Sequence, residues 1–236
     1  MKMIFRLAQP IALMLACIAT AHAEQRHETR PVSGYHSVAL SAPILVEIVQ
    51  GDTEGVVLDG EDSALSDLET VVEDGSLKIR NKSNSSWANF SKVVAHVSVR
   101  SVDALSTKGS GDIRAEALKC GDLKLSIAGS GDIRIAALSA SDLHVSIAGS
   151  GDALIAGKVN NVSTSIAGSG DMKAGKLESR ESKVSIAGSG DAMLWAHDTI
   201  SVSIMGSGDV RYYGDPAVTK SVIGSGTVKR VSASPS

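Results

Sequence analysis

The chain has 236 residues, with 23 Lys plus Arg against 26 Asp plus Glu and a net charge of −3. Such mild acidity gives no electrostatic case for binding nucleic acid or an anionic membrane, both of which call for a basic surface. With only two cysteines, Cys17 and Cys120, the chain carries no disulfide framework.

Taken from the start, Lys2 and Arg6 precede an apolar stretch at 11–21, and Ala21-His22-Ala23 supplies a small-x-small pattern. This reads as a secretory signal peptide over residues 1–23, cleaved after Ala23. A lipoprotein anchored through Cys17 is the alternative. It is disfavoured because Met14-Leu15-Ala16 is a poor lipobox and residues 18–21 stay apolar instead of turning polar. Processing would leave 213 residues, with 21 basic against 26 acidic side chains and Cys120 alone. No later stretch is long and apolar enough to span a membrane as a helix.

Residues 24–107 read as irregular strands and turns. Apolar runs at 44–49, 55–58, 77–79 and 93–99 are separated by Gly51-Asp52, Gly60-Glu61-Asp62 and Asp74-Gly75. Residues 63–68 suit one helical turn, and 81–86 a polar loop with Trp87 and Phe90 packed beneath it. This half is either a separate β domain or irregular first coils, and in both cases it caps the N-terminal end of a repeat region at 108–230.

Residues 108–230 are organised by Gly-Ser-Gly-Asp. The motif starts at Gly109, Gly129, Gly149, Gly168, Gly188 and Gly206, and Gly224 opens a Gly-Ser-Gly-Thr copy, with spacings of 20, 20, 19, 20, 18 and 18 residues. Between motifs the pattern has a period of two: Leu123, Leu125 and Ile127 alternate with Lys124, Ser126 and Ala128, then Ile133 and Ile135 with Arg134 and Ala136. Two short strands and two corners in about 20 residues predict one coil of an all-β parallel β-helix, its equivalent strands stacked roughly 4.8 Å apart. Seven corner copies give about seven coils. Tyr212, Tyr213 and Pro216 interrupt the repeat, residues 222–228 close it, and a tail at 231–236 is expected to be disordered.

Several of these stretches together carry a resemblance. The opening Arg30-Pro-Val-Ser-Gly-Tyr-His-Ser-Val, the strand 44–50 ending in Gly51-Asp52, the segment Val72-Glu-Asp-Gly-Ser-Leu-Lys-Ile and the run of Gly-Ser-Gly-Asp corners resemble the bacterial family called putative auto-transporter adhesin, head GIN domain. The likeness covers about residues 28–230. It implies an exported, β-helix-like protein of the cell envelope. The chain departs from the auto-transporter part of that name, since no translocating barrel follows and the final Ser-Pro-Ser lacks the aromatic end typical of outer-membrane barrels.

Chemistry must come from what the coils repeat. Stacked, Asp112, Asp132, Asp152, Asp171, Asp191 and Asp209 form a row of neighbouring charges, each pair repelling by about 0.9 kcal/mol in water at roughly 5 Å. Two residues on stand Arg114, Arg134, Leu154, Lys173, Met193 and Arg211, so four aspartates have a basic neighbour on their own strand face. A structural corner and charge ladder is therefore the favoured reading. Calcium is the weaker one, with Asp152 and Asp191 as its candidate sites because they lack that neighbour. No other cofactor is expected.

A second row, Ser106, Ser126, Ser146, Ser165, Ser185, Ser203 and Ser221, is flanked by Lys108, Ala128, Ala148, Ala167, Ala187, Met205 and Ile223. It would make a flat, nearly uncharged strip, and Ser126 to Ser203 are the candidate interaction face, set against a plain solvated sheet surface.

Enzyme readings are weaker. His27, His36, His96, His144 and His197 have no metal-ligand spacing, Gly-Ser-Gly-Asp lacks the spacing of a nucleophile elbow, and a catalytic site should break a repeat locally. Cys120 reads as a small packing residue. The expectation is an exported protein, periplasmic or at the cell surface, that binds an envelope protein, a glycan or itself without catalysis. A carbohydrate-active enzyme with a cleft around Trp195, His197, Tyr212 and Tyr213, or a passive structural envelope protein, are the alternatives.

Overall fold

Alternation of apolar and polar residues becomes coil geometry throughout a computed structural model that describes residues 25–82, 90 and 92–235. The segment 1–23 expected to be a signal peptide, with Cys17, residues 83–86 of the polar run and Trp87 lie outside the described residues. The N-terminal strands are β1 (Gln25–Arg30), β2 (Ser37–Ser41), β3 (Leu45–Gln50) and β4 (Gly55–Glu61), then helix α1 (Asp62–Asp67), β5 (Leu68–Glu73), β6 (Ser76–Asn81) and β7 (Val94–Val99). The repeats supply β8 (Ala104–Gly109), β9 (Asp112–Lys119), β10 (Asp122–Gly129), β11 (Ile133–Ser139), β12 (Asp142–Gly149), β13 (Ala153–Lys158) and β14 (Asn161–Gly168). They continue through β15 (Met172–Gly188), β16 (Ala192–Gly206), β17 (Val210–Tyr213), β18 (Ala217–Gly224) and β19 (Val228–Arg230).

Each repeat strand pairs in parallel with its counterpart one coil away. Ser126 faces Ser146, which faces Ser165, Ser185, Ser203 and Ser221 in turn. The result is a parallel β-solenoid of about six turns. Inside, Ile127, Ile147, Ile166, Ile186 and Ile204 stack in one column, each at most 1% exposed. Full burial of a side chain this size contributes roughly 1.5–3 kcal/mol.

The corners decide how closely coils can stack. Gly129, Gly149 and Gly168 have φ of 131°, 134° and 130°, a region that favours glycine. A Cβ there would also lie 2.3–2.4 Å from the carbonyl oxygen of the same glycine in the preceding coil. The second glycine has ordinary φ but no more room: at Gly131 and Gly151 the added carbon would meet a carbonyl oxygen at 2.1 Å. In return the corner closes hydrogen bonds between coils, with Ser130 N and Gly131 N both donating to Gly109 O at 2.8 and 3.0 Å.

The N-terminal half joins the same stack, in an order that differs from the chain. β2 pairs in parallel with both β6 and β8, and β3 with both β7 and β9. The β2–β3 coil is therefore sandwiched between one made later in sequence and the first repeat. Antiparallel strands then seal the N-terminal end, β5 along β6 and β4 along β7, with β1 beyond β4. Helix α1 buries Ala64 and Leu65. Tyr35, 2% exposed, ties this end together: its hydroxyl donates to Ser98 O at 2.6 Å and accepts from Gly55 N at 3.0 Å. One continuous core runs from Tyr35 to Val210.

No such seal covers the other end among the described residues. β18 pairs only with β16 and β19 only with β17, and every residue of β18 is exposed. The inward column Leu125, Val145, Thr164, Val184, Val202 ends in Lys220. A charge on the inner face of an edge strand opposes pairing with another edge. Lys220→Val should therefore shift the protein from monomer toward higher oligomers in sedimentation velocity, while wild type stays monomeric through this end. A Lys220→Val variant that remains monomeric at high concentration would remove the blocking role.

Candidate functional site

The six corner aspartates form an unbroken ladder, and their partners lie in the neighbouring coil. Asp112 Oδ1 accepts from Asp132 N at 3.0 Å, Asp132 from Asp152 N at 2.9 Å, and Asp152 from Asp171 N at 3.0 Å. Asp171 and Asp191 continue it with Asp191 N and Asp209 N at 3.0 and 2.8 Å. The last member, Asp209, accepts from both Thr227 N and Thr227 Oγ1, at 2.9 and 2.8 Å. That explains the Thr of the terminal Gly-Ser-Gly-Thr copy. The hydroxyl hydrogen bond, then the amide one, hold the Asp209 carboxyl below the usual carboxylate range.

Cations sit beside the ladder, and one crosses between coils. Arg134 pairs with Asp132 at 2.9 Å. Lys173 bridges Asp152 and Asp171 at 2.5 and 3.5 Å, and its hydrogen bond to Asp152 raises its pKa. Asp152, whose own strand offers only Leu154, thus receives its cation from the next coil, as Lys173. Asp191 borders a recess of about 120 Å³ shared with Asp171, Asp209, Lys173 and Arg211. Among the described residues no group of three or more His, Cys, Asp or Glu is arranged to hold a metal ion.

The serine strip lies on the sheet of β8, β10, β12, β14, the second halves of β15 and β16, and β18. Ser126, Ser146, Ser165, Ser185 and Ser203 are exposed and in register, as are Ala128, Ala148, Ala167 and Ala187 beside them. From Ser106 to Ser221 the row crosses six strand spacings, roughly 29 Å. The alanine column ends in Met205 and Ile223, 64% and 67% exposed, the most exposed large apolar side chains of the described residues.

Of the residues considered for an enzyme cleft, Trp195 and Tyr213 stand in register on β16 and β17, and Tyr212 is turned away from them. Tyr212 packs against the core while Tyr213 faces outward, as alternation along β17 requires. Trp195 lies 5.6 Å from His197 between ring centroids. His197 Nε2 is 3.0 Å from Glu178 Oε1, and Lys158 is 3.3 Å from the same oxygen. Lys158 chiefly, then His197, lower the Glu178 pKa. Burial, then Asp122 and Asp103, push the Cys120 thiol up, which lowers its reactivity.

Two features escape sequence reasoning. On β1, β3, β4 and β7, His27 and His96 both reach Asp59, and His96 also lies 3.2 Å from Glu47. This chain depends on cross-strand register in a half without repeats. The other is a groove of about 740 Å³ on the outer face of the second sheet, bordered at one edge by Pro235 of the C-terminal tail. The start of that tail is tied down by Val231 N to Tyr212 O and Gly214 N to Ser232 O, at 2.8 and 3.0 Å.

Fold and surface together define a class: a parallel β-solenoid that repeats one face coil after coil. The chain belongs to the family described as putative auto-transporter adhesin, head GIN domain, which matches over residues 34–216. Among solved structures it is similar to a putative adhesin from Bacteroides fragilis, with TM-score 0.84 and 22% identity over 89% of this chain and 98% of that one. A putative adhesin from Parabacteroides distasonis gives TM-score 0.74 and 22% identity over 89% and 98%. A putative lipid binding protein from the same species gives TM-score 0.73 and 26% identity over 88% and 96%. Comparison with curated proteins yields no match.

Two outcomes are expected for the ladder. Asp171→Ala should cost about 1–3 kcal/mol in urea unfolding by orphaning the Asp191 amide, and Asp171→Asn, which keeps an acceptor, markedly less. Millimolar calcium or chelator should leave the thermal midpoint unchanged, whereas a site saturated at a hundred times its Kd would add about 2.7 kcal/mol.

Proposed function

We propose that this is an exported binding module of the cell envelope, acting as an adhesin-type protein without catalysis, and that the serine strip is its contact face. The observation that carries this reading is the register-locked strip itself. Strand after strand presents the same small side chain in register, and the neighbouring column ends in the exposed Met205 and Ile223. A flat face lets a partner approach many coils at once, and an apolar end supplies area whose burial favours association. The reading does not call on calcium: the ladder aspartates accept backbone amides on Oδ1, and Oδ2 of Asp132, Asp152 and Asp171 meets Arg134 or Lys173. The partner class is an envelope protein, a glycan or a second copy.

The test is adhesion of the purified protein to immobilised envelope glycan and to whole envelope preparations. Ala148→Arg with Ala167→Arg, both outward and exposed, should leave the unfolding midpoint in place and reduce retention about tenfold, through the cost of burying unpaired charge. Retention unchanged by this pair, or release of reducing ends from the glycan, would overturn the reading.

A second reading, a lipid ligand, is supported by one observation, the groove on the second sheet. It agrees with the name of the Parabacteroides distasonis lipid-binding neighbour.

A further inference from the structure

Resting on the lipid reading, we infer that the groove across β9, β11, β13, β15, β16 and β17 binds one single-chain anionic amphiphile of the fatty-acid class, its chain along the floor and its head group at Lys176. The floor follows from residue size. Ala136 and Ala156 project little from their strands, and at Gly175 even a Cβ would stand 2.9 Å from Met193 Sδ and 3.1 Å from Tyr213 Cε2. Met193 and Tyr213 therefore lie over Gly175 and close one end of a trough that small residues leave open. In its middle Leu154 is 44% exposed, apolar like Met193 in a column whose other members are Arg114, Arg134, Lys173 and Arg211. The strands involved are paired in sequence, so from β9 to the closed end at β15 the trough crosses three spacings, roughly 14 Å. It is long, narrow and apolar along its base, which suits an extended acyl chain better than a compact ligand.

Charge at the rim selects the head group. Arg134 and Lys173 are engaged by Asp132, Asp152 and Asp171, so their charges are neutralised and their methylene stems form one wall. Arg114 and Lys176 also line the groove and make no ion pair among the described residues. Glu116 lies at the Arg114 end and opposes a second negative charge there. Lys176, which stands in register with Ala156, is left as the cation that an anionic head would meet. This local balance of charge distinguishes the groove from the serine strip on the other sheet.

The experiment titrates the purified exported protein with dodecanoate and with dodecyltrimethylammonium, each below its micelle concentration, by calorimetry. Wild type should bind dodecanoate saturably at one per chain and prefer it to the cationic amphiphile. Leu154→Glu should weaken dodecanoate by about tenfold or more, through lost apolar area and like charge. Leu154→Lys, a residue type this column already carries at Lys173, guards against misfolding and should also weaken the cationic ligand. Lys176→Glu should abolish the preference for dodecanoate while leaving the unfolding midpoint unchanged. Absence of saturable binding by either amphiphile would overturn the lipid reading and the site together. Saturable binding that both Leu154 variants leave intact would keep the lipid reading and overturn the groove, and equal affinity for the two amphiphiles in wild type would overturn the assignment of Lys176.

Discussion

Everything in the solenoid depends on how near one corner can come to the next. At Gly131 and Gly151 the space for a Cβ is taken by a carbonyl oxygen only 2.1 Å away, so the coils meet backbone to backbone with no side chain between them. The hydrogen bonds from Ser130 and Gly131 to Gly109 form because of that closeness. So does the stacking of whole strands in register, since a corner held this tightly leaves no freedom for the strands it joins to slip. Slippage by one residue would carry Ile166 to the solvent side and Ser165 inward.

The aspartates show how a row of like charges becomes tolerable. From Asp112 to Asp191 each carboxylate Oδ1 accepts from the amide of the next aspartate, and Asp209 accepts from Thr227, so the ladder supplies partners for backbone donors that the corner geometry turns outward. Charge-assisted hydrogen bonds of this type are stronger than neutral ones, and cations such as Lys173, spanning two coils, reduce the remaining repulsion. The serine between the glycines is absent from this network and stays exposed at Ser130 and Ser150.

The coils were legible because period-two alternation and the recurring corner both survive in every repeat, and their spacing alone places Ser126 to Ser203 in one row. What the sequence concealed lies across coils or off the repeat. The partner of Asp112 is an amide 20 residues on, where reading along the strand suggests a bond within the turn. Lys173 reaches back to Asp152 because residues 21 apart are neighbours on the stack. The groove was hidden by the register shift between Ile135 and Leu138, which offsets the outward positions that a strict alternation would assign. In the N-terminal half no repeat exists to reveal that β2 lies between β6 and β8.

That ordering of strands makes the protein's assembly non-sequential. β3 completes its pairing only when Leu45 to Ile48 meet residues 112–115 on one side and 94–97 on the other, so in a chain emerging from its N-terminus β2 and β3 can pair along one edge with β6 and β7 but must keep the other edge open until β8 and β9 have appeared. The repeats, whose contacts are with adjacent coils, have no such wait. Closure of a long loop must precede the contacts that reward it, so the sealed end can form from residues 25–99 by itself, and its joining to the repeats through β2 and β3 is the step that closes the longest loop.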